Sequence, residues 1–573
     1  MILSSIFSGL AQSIGWRNQY SFWDGVNRFR WQQWRSLGQF IGLFSLCLFL
    51  TASCGDRTSP PSNVSTGADT DNNRITMGTT LKARTLDPAD AYEIFPGILL
   101  HNLGDRLYTY KPSTTELTPQ LATALPQVSE NGLVYTIPLR EDVVFHDDTP
   151  FNAKAMAFSL QRLIENGGRP AFLLAEKVDS IEATGDYEIT IRLKAPFAAF
   201  PALLTFWGTT PISPAAYQIG SGQFMPNTFV GTGPYTLAEF GTDTIRLDVN
   251  TAYWGEPPQN DGVDIQLFAD SPANLFNTFR TGGIDVAYQT LDPDQIRSLE
   301  TESSQGGWQV IEAGSTVINY MTLNQKQEPF DQLAVRQAVA AMIDRKLLNE
   351  RVFQGQAEPL YSLIPTSFEI YEPVFLDRYG DGDVEKAKAF LATAGFSADN
   401  PFTLELWYPS ASTVRNLVST ALKASIEQKL GDIVKVEINN VEGATAWQNL
   451  EKGIYPTFFL NWYPDFYDAD TFIQPFMDCD QGSKQTGCEI GSSQSSGSFY
   501  YSDRAIELIE QQRAEQDPEA RNAILKELQE LLAEDVPYIP LWQDKDYIFA
   551  QKGLQGVEIQ PTQQLLLWQI SKS

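Results

Sequence analysis

The chain has 573 residues, of which 43% are hydrophobic, so it can bury sizeable cores, and a chain of this length usually forms about two or three domains. Its 70 Asp and Glu residues outnumber its 41 Lys and Arg residues, which gives a formal net charge of -29. This charge repels nucleic acid phosphates and anionic lipid surfaces. The composition therefore indicates a globular protein and excludes nucleic acid as an expected partner.

The N-terminal segment predicts export. The run from Leu37 to Leu50 is almost wholly apolar, follows several arginines and leads into small residues before Cys54. This is the pattern of a signal peptide, which we place at residues 1–53. The apolar run is shorter than the roughly 20 residues of a membrane span, and an uncleaved anchor helix is the alternative. Residues 54–73 then predict a flexible tether rich in Ser, Thr, Pro, Asn and Asp.

Strands and helices alternate through the body of the chain. A strand is predicted at Glu188–Leu193, where apolar and polar residues alternate. A helix is predicted over Pro272–Arg280, closed by Gly282, and a further strand begins at Ile284. Units of this kind predict an α/β fold.

Helix starts are predicted at side chains that can accept a hydrogen bond from a free backbone amide of the first turn. The residues expected to cap helices in this way are Asn152, Asp331, Asp383, Asp503 and Asp517. At its other end, the chain is expected to finish in a strand near 565–570.

Cysteine and histidine are scarce, and this limits the metal sites that the chain could form. Cys479 and Cys488 are the pair in the body of the chain, and an even pair in an exported protein predicts a disulfide. A metal site is the alternative, but no histidine lies near that pair. His101 and His146 are the two histidines, and His101 has no acidic or cysteine partner at ligand spacing. We expect no metal and no cofactor.

An acidic tract at 377–383 resembles part of a calcium loop. It lacks the terminal glutamate at the loop spacing, and its last aspartate is better placed as a helix cap. Calcium is therefore the less favoured interpretation.

The stretch from 460 to 476 sets carboxylates among aromatic residues. Its carboxylates are Asp465, Asp468 and Asp470, and its aromatic residues include Trp462, Tyr463, Phe466, Tyr467 and Phe472. Aromatic rings lose favourable burial when they are left in water, so a carboxylate held against them suits a buried cation. The alternative is a solvated acidic turn whose aromatic residues belong to a nearby core.

Two motifs resemble those of the peptide-binding lipoproteins of ABC importers, the oligopeptide, dipeptide and nickel class called solute-binding protein family 5. Residues 462–472 resemble the signature Trp-x-x-Asp-Tyr-x-Asp-Pro-x-x-Phe, with Ala469 in place of the proline. Residues 139–151 closely resemble Leu-Arg-x-x-Val-x-Phe-His-Asp-Gly-x-Pro-Phe. The resemblance extends over essentially the whole chain from Ile75 onward, and the residues before Cys54 resemble a lipobox.

The resemblance implies a two-lobed α/β fold of the periplasmic-binding-protein type (type II), with an accessory domain on the first lobe. By this analogy the first lobe comprises 74–111, 230–325 and 541–573, the accessory domain 112–229 and the second lobe 326–540. The ligand would be enclosed when the lobes close about a hinge.

The resemblance also implies roles for individual residues. Asp465 would pair with the α-ammonium group of a peptide, Arg415 with its carboxylate, and Cys54 would carry diacylglycerol. Other residues at positions that line the cleft in relatives are Trp462, Tyr463, Trp407, Tyr408, Tyr92 and Glu93.

The function implied is that of a receptor and not of an enzyme. A monomer, held on the cell membrane by its lipid and facing the periplasm or the cell exterior, would capture oligopeptides or dipeptides and deliver them to an ABC permease. One alternative keeps this fold but binds a sugar, an opine or a similar solute. Another is a hydrolase that uses Asp465 with Asp468 or Asp470, although the sequence has no nucleophile elbow or metal-binding histidine pair to support it.

Overall fold

A computed structural model of the protein describes residues 73–269, 271–288, 291–562 and 564–573. The predicted signal peptide, Cys54 and the tether up to residue 72 lie outside the described residues. Within the described part, helices and strands alternate, and the predicted α/β class is confirmed. No helix in this part is both long enough and apolar enough to cross a membrane.

The largest sheet of the described part mixes parallel and antiparallel strands. In spatial order its strands are Thr457–Trp462, Trp308–Leu323, Tyr538–Gln551, Val286–Tyr288, Ile75–Thr79, Gly262–Leu267, Thr244–Val249 and Tyr235–Phe240, and Ala357–Pro359 also pairs with Tyr538–Gln551. The strand Ile75–Thr79 is parallel to both of its neighbours, and the other pairs are antiparallel. A strand from near the C-terminus therefore lies inside the sheet.

Two long strands run through the middle of this sheet. Trp308–Leu323 and Tyr538–Gln551 pair over most of their length, but the register shifts between Gly314 and Ile318. Residues 315–317 have no ladder partners on Tyr538–Gln551, so the strand Trp308–Leu323 bulges there. The bulge lies at the ligand-sized cavity described below.

Smaller sheets complete the strand inventory. Gln127–Val128, Val134–Pro138, Glu188–Leu193 and Val178–Gly185 form an antiparallel sheet in that order. Phe402–Pro409 pairs in parallel with Val434–Val441. The remaining two-stranded pairs are Tyr108–Tyr110 with Leu117–Pro119, Gln481–Ser483 with Gly487–Ile490, and Leu554–Gln555 with Ser571–Lys572.

Helices cover the sheets and fill the connections between strands. The α-helices of the described part are Ile94–Leu103, Ala153–Glu165, Phe172–Ala175, Phe200–Leu203, Pro272–Arg280, Pro293–Ser303, Leu333–Met342, Arg345–Leu348, Val374–Tyr379, Val384–Thr393, Thr413–Leu430, Gly443–Leu450, Gln474–Met477, Ser492–Ser495, Asp503–Ala514 and Pro518–Asp535. Short 3-10 turns occupy Trp207–Thr209, Ala469–Phe472 and Leu567–Gln569, and a π turn occupies Asn349–Phe353.

The buried apolar residues form separate cores. The largest core is built from side chains between Ile318 and Trp542, and a second is built mainly from residues 89–206. A third joins the strand Ile75–Thr79 to residues near the C-terminus, and a fourth, smaller core packs beside the helix Pro272–Arg280. Several cores are expected for a chain of this length.

Three of the predicted helix caps are confirmed. The side chain of Asn152 accepts from the backbone amide of the third residue beyond it at 3.0 Å, and Asp383 and Asp517 do the same at 3.0 and 2.8 Å. Each of these bonds satisfies an amide that the helix itself cannot pair.

Two predicted caps are wrong. Asp331 does not cap its helix, which begins at Leu333. The guanidinium of Arg336 binds the carbonyl groups of Phe330 and Asp331 and holds them outside the helix. Asp503 is already the first helical residue, and the hydroxyl of Ser502 takes the capping position before it.

The predicted strand near 565–570 is also wrong. The chain forms a 3-10 turn at Leu567–Gln569 instead. The side chains of Asn102 and Asn260 bind backbone groups of this segment, including the carbonyls of Leu565, Leu567 and Ile570, at 2.8 to 2.9 Å. Since side chains satisfy this backbone, no neighbouring strand is needed.

A buried ion pair fastens the turn after the first strand. Asp87 and Arg162 are joined by two parallel bonds of 2.7 Å, and their side chains are 0% and 1% exposed. The carboxylate also accepts from the backbone amides of Ala89 and Met225 at 3.0 and 2.7 Å. Bidentate geometry and further hydrogen bonds are the conditions under which a buried pair is tolerated.

We expect Asp87→Asn to lower the free energy of unfolding by about 3 to 5 kcal/mol, because Arg162 would remain buried without its counter-charge. Urea unfolding followed by circular dichroism measures the change. Glu527→Gln is the matched control, because it breaks the exposed pair between Glu527 and Arg504 and should change stability little. Equal effects of the two substitutions would contradict this account of the turn.

Candidate ligand-binding site

The acidic stretch singled out in the sequence forms a loop after the strand Thr457–Trp462, and two ion pairs anchor it. Asp468 binds Arg521 through two bonds of 2.6 and 2.8 Å. Asp470, which is buried, binds Arg513 through two bonds of 2.8 Å. These arginines belong to the helices Asp503–Ala514 and Pro518–Asp535. The two carboxylates are therefore engaged in holding the loop and do not support acid–base chemistry.

Asp465 is the third carboxylate of the loop, and it faces a cavity. Its Oδ1 accepts a 2.6 Å hydrogen bond from the hydroxyl of Tyr92. Burial raises the pKa of Asp465 to about 6, although that hydrogen bond and the charge of Lys177 both favour the ionised form. A carboxylate with this little compensation is poised to accept a cation.

The cavity has a volume of about 170 Å³, well above the roughly 10–15 Å³ that one water needs. Aromatic side chains make up much of its wall, among them Tyr110, Trp207, Tyr288 and Tyr463. The bulge at 315–317 forms another part of the wall. A mostly apolar wall with a few convergent polar groups is typical of a ligand site.

The charged groups of the cavity wall are acidic. They are Asp465, Asp544 and Asp546, and no Lys or Arg is among the described lining residues. Burial raises the pKa of Asp544 to about 6, and burial together with the charge of Asp544 raises the pKa of Asp546 to about 7. His101 also lines the cavity, but burial lowers its pKa, so at neutral pH it adds no positive charge.

Tyr92, Tyr463 and Glu93 lie at or near the cavity. Tyr463 lines it directly and is 47% exposed, and Tyr92 contacts it through Asp465. Glu93 instead accepts hydrogen bonds from Arg84 and Arg169 at 2.9 and 2.7 Å. The structure thus brings two of these three predicted residues together with Asp465, and Glu93 supports the loop that carries Tyr92.

The structure does not bring the other predicted residues to the cavity wall. Trp407 packs on Tyr455 with ring centroids 4.9 Å apart, and Tyr408 is buried and accepts a hydrogen bond from Asn416. Trp462 packs on Phe476, behind the loop. These aromatic residues pack in or against the large core instead.

Arg415 also lies outside the wall of the cavity. Its guanidinium donates a 2.7 Å hydrogen bond to the side chain of Asn461, and it lies near enough to Asp544 to favour the ionised form of that carboxyl. In this structure it is therefore placed to influence the cavity through Asp544 and not through direct contact.

Sequence reasoning missed Asp544 and Asp546. Both belong to the strand Tyr538–Gln551, which is mostly buried on either side of them. Successive side chains of a strand point to opposite faces, so residues two apart share a face. Two aspartates at this spacing inside a mostly buried strand were a signal of a functional face.

The structure joins Cys479 and Cys488 in a disulfide, the pair predicted from the sequence, with 5.7 Å between their Cα atoms. Cys479 precedes the strand Gln481–Ser483, and Cys488 lies in its partner strand Gly487–Ile490. In the described part, no group of three or more His, Cys, Asp and Glu residues could hold a metal ion.

The fold defines a structural class, the α/β architecture of type II periplasmic binding proteins. Within this class, the chain belongs to the bacterial extracellular solute-binding proteins, family 5, whose sequence profile matches residues 116–484. The predicted membership of solute-binding protein family 5 is thus confirmed. Family membership makes the protein a solute-binding component of an ABC importer and not an enzyme.

Individual relatives are distant but cover most of the chain. A "Di/tripeptide-binding protein 2" of Pseudomonas aeruginosa is 26% identical over 486 residues, which are 80% of this chain and 87% of that protein. The solved structure of DppA from Helicobacter pylori in complex with the peptide STSA is 24% identical, with a TM-score of 0.70 over 87% of this chain and 98% of that one. NikA from Brucella suis in complex with Fe(III)-EDTA is 20% identical, with a TM-score of 0.75 over 88% and 100%.

We expect Asp465→Asn to stabilise the ligand-free protein at about pH 7.5, by about 1 to 3 kcal/mol. The wild-type carboxyl has a pKa of about 6 in the folded chain against its usual 3.8, so its ionisation opposes folding above that range. The gain should shrink as the pH falls through 6 toward 4, because the folded wild-type protein then becomes protonated. Urea unfolding at several pH values measures the difference between variant and wild type.

Asp179→Asn is the matched control, since Asp179 is exposed and does not line the cavity. It should bring no comparable gain at neutral pH. A gain from Asp465→Asn that is the same at every pH would show that ionisation of Asp465 is not its source.

Proposed function

We propose that this protein captures short peptides, reads their α-ammonium group with Asp465 and delivers them to the permease of an ABC importer. The observation that carries this proposal is the Asp465 carboxylate itself, which faces a cavity whose described wall contains no Lys or Arg. An α-ammonium group would supply the missing positive charge. The carboxylate has lost solvation through burial, and a charge-assisted hydrogen bond to the ammonium group would compensate for that loss.

The surroundings of Asp465 support this role. The ion pairs of Asp468 and Asp470 fix the loop, so the position of Asp465 is set before a ligand arrives. Tyr92 binds one carboxylate oxygen and leaves the other for a ligand. The names of relatives agree with the proposal, since they include di- and tripeptide-binding and D,D-dipeptide-binding proteins.

Closure of two lobes around the ligand is part of the proposal. We place the first lobe at 74–111, 230–325 and 541–573, the accessory domain at 112–229 and the second lobe at 326–540. The separate cores support this division, and the long strands Trp308–Leu323 and Tyr538–Gln551 pass between two of them. The bulge at 315–317 is then the proposed hinge, because it interrupts the ladder between these strands.

We expect Asp465→Asn to weaken the binding of a short peptide by roughly 30-fold to a few thousand-fold, since neutralising one member of a desolvated charge pair costs about 2 to 5 kcal/mol. N-acetylation of the peptide should cause a similar loss for the wild type and little further loss for the variant. Isothermal titration calorimetry on the four combinations measures the coupling between the two groups.

Asp179→Asn is again the control and should bind like the wild type. Equal losses on N-acetylation in wild type and variant would mean that Asp465 does not read the amino terminus. Mass spectrometry of material that co-purifies with the protein adds a direct test, because a single sugar, opine or other non-peptide solute would contradict a peptide receptor.

We also propose that the mature protein is attached to the cell membrane by a lipid on Cys54. The apolar run that ends before this residue supports the proposal. Cys54→Ser should release the protein from the membrane fraction or prevent its maturation, because the thiol is the site of the lipid. Fractionation with carbonate extraction measures this, and unchanged, carbonate-resistant attachment would support an uncleaved anchor helix instead.

A further inference from the structure

A second pair of carboxylates lies in the cavity, apart from the loop that carries Asp465. Asp544 and Asp546 project from the same face of the strand Tyr538–Gln551, and Lys545 between them points to the other face, where it pairs with Glu312 at 2.6 Å. The bulge at 315–317 and the two aspartates line the same cavity. The two side chains therefore reach the space of the cavity.

Neutral groups, and not cations, hold these carboxylates. Asp544 accepts hydrogen bonds of 2.9 Å from the side chains of Asn319 and Trp542. The hydroxyl of Ser315 donates to Asp546. Neither aspartate forms an ion pair within the described residues, and the guanidinium of Arg415, the cation that acts on Asp544, is bonded to Asn461. Two adjacent carboxylates without a salt-bridged partner are costly to bury.

A separate observation indicates that a ligand group completes this end of the cavity. Tyr288 lines it beside Asp546 and is only 4% exposed, yet its hydroxyl makes no hydrogen bond to any residue of the described part. The Oγ1 of Thr562, also in the wall, is buried and has no partner there either. Buried polar atoms are nearly always satisfied, so the Thr562 hydroxyl needs an account, and the Tyr288 hydroxyl beside Asp546 keeps its donor available to a ligand.

The space continues past this point. A small side cavity of about 10 Å³ shares Tyr288, Asp546 and Gln564 with the main one and is also lined by Glu558. Its wall thus adds a further carboxylate and again, among the described residues, no Lys or Arg. This side cavity has room for about one water. A cationic group in the main cavity would find acceptors around Asp546, and the rings of Tyr288 and Tyr463 could face its charge.

We propose that Asp544 and Asp546 form a second cation subsite, so that the preferred ligands are short peptides carrying a lysine or arginine side chain as well as a free α-ammonium group. This inference rests on the proposed function, in which Asp465 holds the ammonium group. The side-chain cation would bind both carboxylates and offer hydrogen-bond donors to the hydroxyl of Tyr288. Specificity then follows from charge and not from the shape of the side chain.

Calorimetry with matched peptides tests the inference. The pairs are Ala-Lys-Ala with Ala-norleucine-Ala and Lys-Ala-Ala with norleucine-Ala-Ala, because norleucine keeps the length of lysine without its charge. The wild type should bind the lysine peptide at least about 30-fold more tightly in one of the pairs. In the double variant Asp544→Asn with Asp546→Asn, that ratio should fall to within about 3-fold.

Two further variants keep the result interpretable. Asp546→Glu retains the charge and should retain most of the preference for lysine, and Asp179→Asn should leave it unchanged. Circular dichroism and thermal unfolding establish that each variant is folded. A preference that persists in the folded double variant would overturn the inference, since another group would then read the cation.

Failure of the inference differs from failure of the proposed function. If both members of each pair bind equally well to the wild type, and Asp465→Asn still weakens them, the second subsite is overturned and the peptide receptor stands. If none of these peptides binds, the proposed function is contradicted, and the inference that rests on it falls as well.

Discussion

Pairing between the strands Trp308–Leu323 and Tyr538–Gln551 is the interaction on which the rest of the structure depends. At one end, both strands contribute side chains to the core of residues 318–542. At the other end, they pack with the core around Ile75–Thr79 and the core beside Pro272–Arg280. The two strands are therefore shared by parts of the molecule that otherwise pack separately. Where their ladder is interrupted, at 315–317, the wall of the cavity forms. The two strands thus connect the cores, and the interruption of their ladder forms part of the cavity wall.

The cavity is electrostatically unfavourable when it is empty. Burial raises the pKa of each of the three aspartates that line it, so at neutral pH their ionisation opposes folding. By contrast, Asp468 and Asp470, only a few residues from Asp465, are satisfied by arginines. The protein therefore holds some carboxylates in compensated pairs and leaves others without a cation, and the uncompensated ones are those that face the cavity. Under the proposed function, affinity for a cation is obtained at some expense of stability.

Much of the fold follows from local patterns in the sequence. The helix Pro272–Arg280 and the strand Glu188–Leu193 have the predicted bounds because proline, paired glycines and alternation act over a few residues. Predictions failed where a particular side chain bound the backbone, either from the same helix, as Arg336 does at Asp331, or from far along the chain, as the asparagines that bind 565–570 do. In the site, the motif at 462–472 indicated Asp465, but Asp544 lies in that cavity only because its strand crosses the sheet from a remote part of the chain.

The position of Tyr538–Gln551 also constrains the order of events in folding. This strand lies between Trp308–Leu323 and Val286–Tyr288, so without it the large sheet is split and two strand edges are open. Those partners are synthesised long before it, and their pairing must wait for a segment near the end of the chain. A growing chain of this extracellular family would therefore remain without its complete sheet, with two strand edges open, until almost all of it has been made.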